Sequence, residues 1–197
     1  MHVRRHLALI ILMAGWSAVA QNFPEAPLAR LLANEDTRAT AISEIVKDGP
    51  RIVPTLLSWA RIRLSNSEET GLYVGLADAF GKLKSKEAIP FLIAHIGLQR
   101  WLPSPNTWMK TPQVAEERLP AVSALIQIGP EASRALIRAN WKELNPEERL
   151  AAILVLSQIK GVPEARGFLA SLLGQANLER HWAEVGLKMM GVETPPR

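Results

Sequence analysis

Along most of the chain, apolar residues recur every three or four positions, the spacing of one face of an α-helix. Within 69–83, Leu72, Tyr73, Leu76, Ala79, Phe80 and Leu83 share such a face. No Asn-Gly or Asp-Gly pair stands between alternating apolar and polar runs, so nothing marks a β-hairpin. The pattern predicts an all-α protein.

The pattern also recurs as a unit. A small or branched residue, a large apolar one, and another three positions on occur as Ala41-Ile42 with Ile45, Ala79-Phe80 with Leu83, Ala124-Leu125 with Ile128, and Val155-Leu156 with Ile159. The large residues Ile42, Phe80, Leu125 and Leu156 are 38, 45 and 31 positions apart. A short turn follows each, at 48–50, 84–86, 129–130 and 160–163, and a second apolar helix then begins, as with Ile89, Leu92 and Ile96 or Ala165, Leu169 and Leu172. Glycine suits the end of the first helix because it tolerates the left-handed cap. Proline suits the start of the second because its missing N–H has no partner there anyway.

The beginnings of the units are marked as well. Asn145, Pro146, Glu147 and Glu148 supply a cap, a proline at the first helical position, and two acids at the positive end of the helix. Glu68-Glu69 and Glu116-Glu117 occupy equivalent places. Catalytic carboxylate pairs flank a substrate instead of standing side by side in sequence. Recurrence at three helix starts assigns these pairs to the helix dipole.

This helix–turn–helix unit resembles the HEAT repeat, specifically the short HEAT-like repeats of the phycobilisome-lyase type found in bacterial proteins. The segments that carry the resemblance are LADAFGKL (76–83) with EAIPFL (87–92), and AVSALIQIGPEA (121–132). It extends over roughly 36–97 and 114–190. Two departures stand out: the first unit lacks the usual small residues of the first helix, and Pro120 calls for a kink or a late helix start. The resemblance implies a right-handed α-solenoid of about four helix pairs, at 36–64, 68–98, 114–142 and 146–174, closed by a capping helix at 177–190. The unbroken apolar run 151–156 fits an inner helix covered on several sides. In the final helix Leu178, Trp182, Val185 and Met189 form an apolar face, opposite Glu179, His181, Glu184 and Lys188. Residues 192–197 read as a flexible tail.

Composition excludes more than it assigns. The chain has 197 residues, 48% hydrophobic and 21% charged, and no cysteine. It is too apolar for a disordered tail, and zinc–thiolate sites, iron–sulfur clusters, disulfides and cysteine nucleophiles are ruled out. Residues 1–20 read as a secretory signal peptide. His2, Arg4, Arg5 and His6 form a basic start, an apolar core follows, and Ala18-Val19-Ala20 places the cut before Gln21. The apolar stretch 7–20 has 14 residues, short of the roughly 20 that span a bilayer. No stable membrane span is therefore expected after cleavage, and without cysteine there is no lipoprotein anchor. The 23 basic residues lose Arg4 and Arg5 with the leader, so 21 face 19 acids and the net charge falls from +4 to +2. Nucleic-acid binders concentrate a basic stripe, whereas Lys82, Lys84 and Lys86 sit at an inter-helix turn, so nucleic acid is disfavoured.

Candidate chemistry is sparse. Beyond the leader only His95 and His181 remain. His181 and Glu184 are neighbours on a helix, but no third ligand follows from spacing, and no metalloprotease, phosphate-loop, dinucleotide or nucleophile-elbow pattern is present. No cofactor or metal is expected. His95, among Phe91, Ile96 and Leu98, reads as a partly buried histidine, and Gly71 and Gly75 as points of close helix approach. The segment 99–113 breaks the repeat with three prolines and carries Arg100, Trp101, Trp108, Met109 and Lys110, residue types common in binding hot spots. Its tryptophans either cover the edge of the stretched repeat or present a binding surface. By the HEAT resemblance, Trp59 and Trp141 lie on second helices, which line the concave face. Arg100, Trp101, Trp108, Lys110, Trp59, Trp141 and His95 are thus the candidate partner-binding residues.

The resulting expectation is an exported, non-enzymatic module, periplasmic or secreted, that binds a protein or peptide. The alternatives are an enzyme or enzyme accessory, such as a hydrolase using His181 and Glu184 or a lyase-like protein, and a structural subunit of an envelope complex.

Overall fold

The computed structural model describes residues 27–61, 66–100, 116–174 and 178–193. The expected signal segment 1–20, Trp101, Trp108, Met109 and Lys110 of the insertion, and the tail beyond 193 lie outside the described residues. Among the described residues every regular element is helical, so the protein is all-α. None of those helices is long and apolar enough to cross a membrane. The chain divides into two compact units, residues 1–76 and 77–197.

The first unit holds α1 (Pro27–Ala33), α2 (Glu35–Asp48), α3 (Val53–Trp59) and the first part of α4 (Asn66–Leu83). Helix α1 was not expected from the repeat pattern. Its seven residues are too few for a stable isolated helix, and it persists by burying Leu28, Ala29 and Leu32 and packing on α2. A guanidinium holds its end. Arg38, only 7% exposed, donates from Nε to the Leu32 carbonyl at 3.1 Å and from Nη2 to those of Ala33 at 3.1 Å and Gly71 at 3.5 Å. Asn34 caps α2 by accepting the Asp36 N–H at 2.9 Å. A Cβ on Gly71 or Gly75 would collide with the Ala33 or Leu32 carbonyl oxygen, so both glycines serve close approach, as their positions inside a helix predict. Ile42 is only half-buried, and the core at this point is made by Ala41 and Ile45.

In the second unit the end of α4 is followed by α5 (Ile89–Ala94), α6 (Pro120–Ile128), α7 (Pro130–Arg138), α8 (Pro146–Gln158), α9 (Pro163–Leu172) and α10 (Leu178–Met189). Packing alternates. Helix α6 lies on α8 and α8 on α10, while α5 lies on α7 and α7 on α9. At Gly81 the end of α4 joins the first series, since an added Cβ would stand 2.9 Å from Ala124 Cα. First helices thus form one layer and second helices another. Central α8 touches α6, α7, α9 and α10, which is why its apolar run is buried on nearly every side. Phe80, Leu125 and Leu156, aligned by the sequence repeat, are fully buried.

The turns follow the expected chemistry with one exception. Gly129, at φ +88°, hands α6 directly to Pro130, the first residue of α7. The corresponding residue after α4 is Lys84, at φ +49°, a conformation that costs a side chain about 1 kcal/mol. Its N–H bonds the Gly81 carbonyl at 3.0 Å, and the Ser85 N–H bonds that of Phe80 at 3.0 Å, so the end of the helix is satisfied despite the strain. Pro120 produces no kink: it is the first residue of α6, a late start after the helical turn 116–118.

Two details at the C-terminal end depart from the sequence reading. Glu179, assigned to the solvent face of the last helix, turns inward and bonds Arg149 Nη1 at 2.7 Å. Arg149 Nε also reaches the carbonyls of Leu144 at 2.9 Å and Trp141 at 3.1 Å. The buried stripe of α10 is Ala183, Gly186 and Leu187, whereas Trp182 and Val185 are half-buried and Met189 is 42% exposed. The reason is steric. A Cβ on Gly186 would already stand 3.3 Å from Ser157 Cβ and 3.4 Å from Ile153 and Leu169, so close packing at this position admits no large side chain.

Two predictions follow from these contacts. Lys84→Gly relieves the left-handed strain and raises stability by about 0.5–1 kcal/mol, read as a shift in the urea midpoint at unchanged slope. The hydrogen bond from Arg149 holds the Glu179 carboxyl below its ordinary 4.5. That contribution is complete above the ordinary value and is lost as pH falls through the lowered one. Arg149→Ala therefore costs about 2 kcal/mol at neutral pH. Urea titrations at successively lower pH will show its deficit shrinking as Glu179 protonates.

Candidate functional site

Arg100 ties together the two described ends that border residues 101–115, forming a neck. The Arg100 N–H bonds the Arg118 carbonyl at 2.8 Å, joining the two ends of the segment. Its Nη2 pairs with Asp78 Oδ1 on α4 at 2.8 Å, and its Nε donates to the Glu117 carbonyl at 3.3 Å. Arg100, a candidate for partner contact, is thus engaged within the protein as the anchor of the neck. Both side chains of its ion pair are largely sheltered, so the pair is worth more than an exposed one.

The other candidates rest on separate supports. His95 follows α5, with its ring against Phe91 at a centroid distance of 4.4 Å and its Nδ1 2.8 Å from the Phe91 carbonyl. A carbonyl can only accept, so Nδ1 carries the proton. Trp141 lies in the turn past α7 and not on the second helix itself. Its indole N–H donates to the Leu136 carbonyl at 2.8 Å and its ring packs on Phe168 of α9 at 4.7 Å. Trp59 closes α3 in the first unit and is 6% exposed. Trp101, Trp108 and Lys110 lie outside the described residues.

The layer of second helices presents a surface that the sequence reading did not single out. On α7, Ala132, Ser133 and Leu136 are buried, and Arg134 and Arg138 are exposed on the opposite side, one turn apart. The flanking helices show small exposed residues at the same register, Pro90 and Ala94 on α5, Gly167 and Ser171 on α9. Neither arginine forms an ion pair among the described residues. Glu131, one turn before Arg134, is held by Lys86 Nζ at 2.6 Å, and that hydrogen bond lowers its pKa. The signal was legible: two cations four apart on a second helix, with small residues at the equivalent positions of both neighbours.

A different concavity lies along α10. His181, Glu184, Val185 and Lys188, with Gly191, Val192 and Glu193, line an open groove of about 660 Å³. Arg180 Nε bonds Glu184 Oε1 at 3.0 Å. Among the described residues no group of three or more histidines or acids is arranged to hold a metal ion.

The neck yields a measurable coupling. In a double-mutant cycle on Arg100→Ala and Asp78→Ala, denaturation gives an interaction energy of about 1 kcal/mol. A value near zero denies the pair its role. No protein-family model matches the chain, and neither a curated protein nor a solved structure does.

Proposed function

We propose that this is an exported, non-enzymatic HEAT-like repeat protein whose helix pairs form an α-solenoid, binding a protein or peptide through the face of its second helices together with the insertion at 99–113. The observation that carries this reading is the alternate stacking within 77–193, first helices on first and second on second. Each helix pair has only one face to bury, and stacking leaves the outer surface of the second layer free for a partner. The pinned neck adds support, since it fixes the two described ends of a segment whose sequence holds two tryptophans. Export rests on the leader pattern before Gln21.

A second reading, a subunit of an envelope assembly, draws on α10. Its outward residues include the exposed Met189 beside the half-buried Val185 and Trp182, which a neighbouring subunit could cover.

Two measurements test the proposal. The intact mass of protein recovered from the exported fraction corresponds to a chain beginning at Gln21; an unprocessed chain in the cytoplasm overturns the export claim. Immobilised protein captures a defined partner from envelope extract, and Trp101→Ala/Trp108→Ala loses it. Identical capture by both proteins removes the insertion from the interface, and capture by neither removes the binding function.

A further inference from the structure

We infer that the face of α7 recognises an acidic, extended polypeptide segment through Arg134 and Arg138. The inference rests on the interaction function proposed above and specifies its partner. Both side chains project from the side of α7 opposite its buried residues. They stand above a low floor, because α5 contributes Pro90 and Ala94 beside them and α9 contributes Gly167 and Ser171, all exposed and uncharged. Among the described residues, the positions of α5 and α9 aligned with Arg134 and Arg138 carry only these short side chains. Glu131 is within electrostatic reach of Arg134, but its hydrogen-bonded partner is Lys86, while Glu143 accepts from Asn140 Nδ2 at 2.7 Å and Glu164 lies at the start of α9.

Spacing chooses among anionic partners. Side chains one helical turn apart are separated by about 6 Å at Cβ, and alternate side chains of an extended chain by about 7 Å. Two carboxylates at alternate positions of a strand lying along α7 therefore meet the two guanidiniums in turn, and each pairing can be bidentate. The small-residue floor on either side leaves room for the backbone of such a strand. Anionic membranes and nucleic acids are instead bound by broader basic patches, about four to eight cations for the former. Two arginines on a narrow strip suit a peptide.

The probe is a fluorescein-labelled peptide of alternating glutamate and serine, with its glutamine–serine counterpart as the neutral control, read by anisotropy on the full protein. Wild type binds the acidic peptide and not the neutral one, and added salt weakens binding. Arg134→Glu/Arg138→Glu reduces affinity more than tenfold, while Arg30→Glu/Arg51→Glu, exposed arginines of the first unit, leaves it unchanged. Circular dichroism melts confirm that both variants fold. Absence of binding by wild type, equal loss in both variants, or binding to phosphatidylglycerol vesicles in place of the peptide overturns the inference. Repeating the envelope capture with Arg134→Glu/Arg138→Glu separates the two claims. If wild type and variant retain the same partner, the acidic-segment inference fails and the interaction function stands; if wild type retains nothing, the interaction function itself fails.

Discussion

Arginine side chains that reach backwards fasten the start of a helix to the carbonyls of the segment before it. Arg149 does so in the second unit, bonding the carbonyls of Trp141 and Leu144 while its far edge meets Glu179 of α10. Arg38 does so in the first, reaching Leu32, Ala33 and Gly71. Each stands four residues after an asparagine cap, Asn34 or Asn145. Carbonyls at the end of a helix or in a tight turn have no partner of their own, and leaving them buried is expensive. A planar guanidinium with several donors satisfies two or three at once and thereby fixes where the next element begins. The stacked packing of small residues, such as Gly186 against Ser157 and Gly81 against Ala124, requires that register.

Much of this fold was legible in the sequence. Apolar periodicity and turn chemistry pointed to helices along α2 through α10 because both are local signals: glycine or proline at the turns, Asn145 at the cap of α8. What escaped was α1, whose seven residues depend on α2 and on the Arg38 clamp, and the significance of the arginines themselves. The acidic pairs at the helix starts were read as dipole partners, and the Arg118 and Arg149 that directly follow two of them passed unremarked. An arginine's reach of several ångströms makes its partners a matter of tertiary geometry, invisible to spacing along one helix. The site was less legible still. Arg100 and Trp141 carry the chemistry of binding residues, yet both are held internally, whereas the spacing of Arg134 and Arg138 is visible in the sequence but takes on meaning only beside the short side chains of α5 and α9.

The last helix shows how packing overrides a size-based pattern. Its large apolar residues predicted one buried face, and the structure buries Ala183, Gly186 and Leu187 instead. Parallel stacking on α8 rewards short interaxial distance, which Gly186 permits and Trp182 in the same place would prevent. The half-buried apolar residues that result are a by-product of that choice, and they stand beside the exposed Arg180, His181 and Lys188.

The pinned neck has a consequence for how such a protein can diversify. With the Arg100 N–H bonded to the Arg118 carbonyl, the two ends that border the intervening residues are fixed to each other. The entropy of closing a loop grows only with the logarithm of its length, about 0.6 kcal/mol for each doubling. Descendants of this chain could therefore lengthen, shorten or exchange that segment while keeping Arg100 and Asp78, and acquire new specificities without renegotiating the helices beneath.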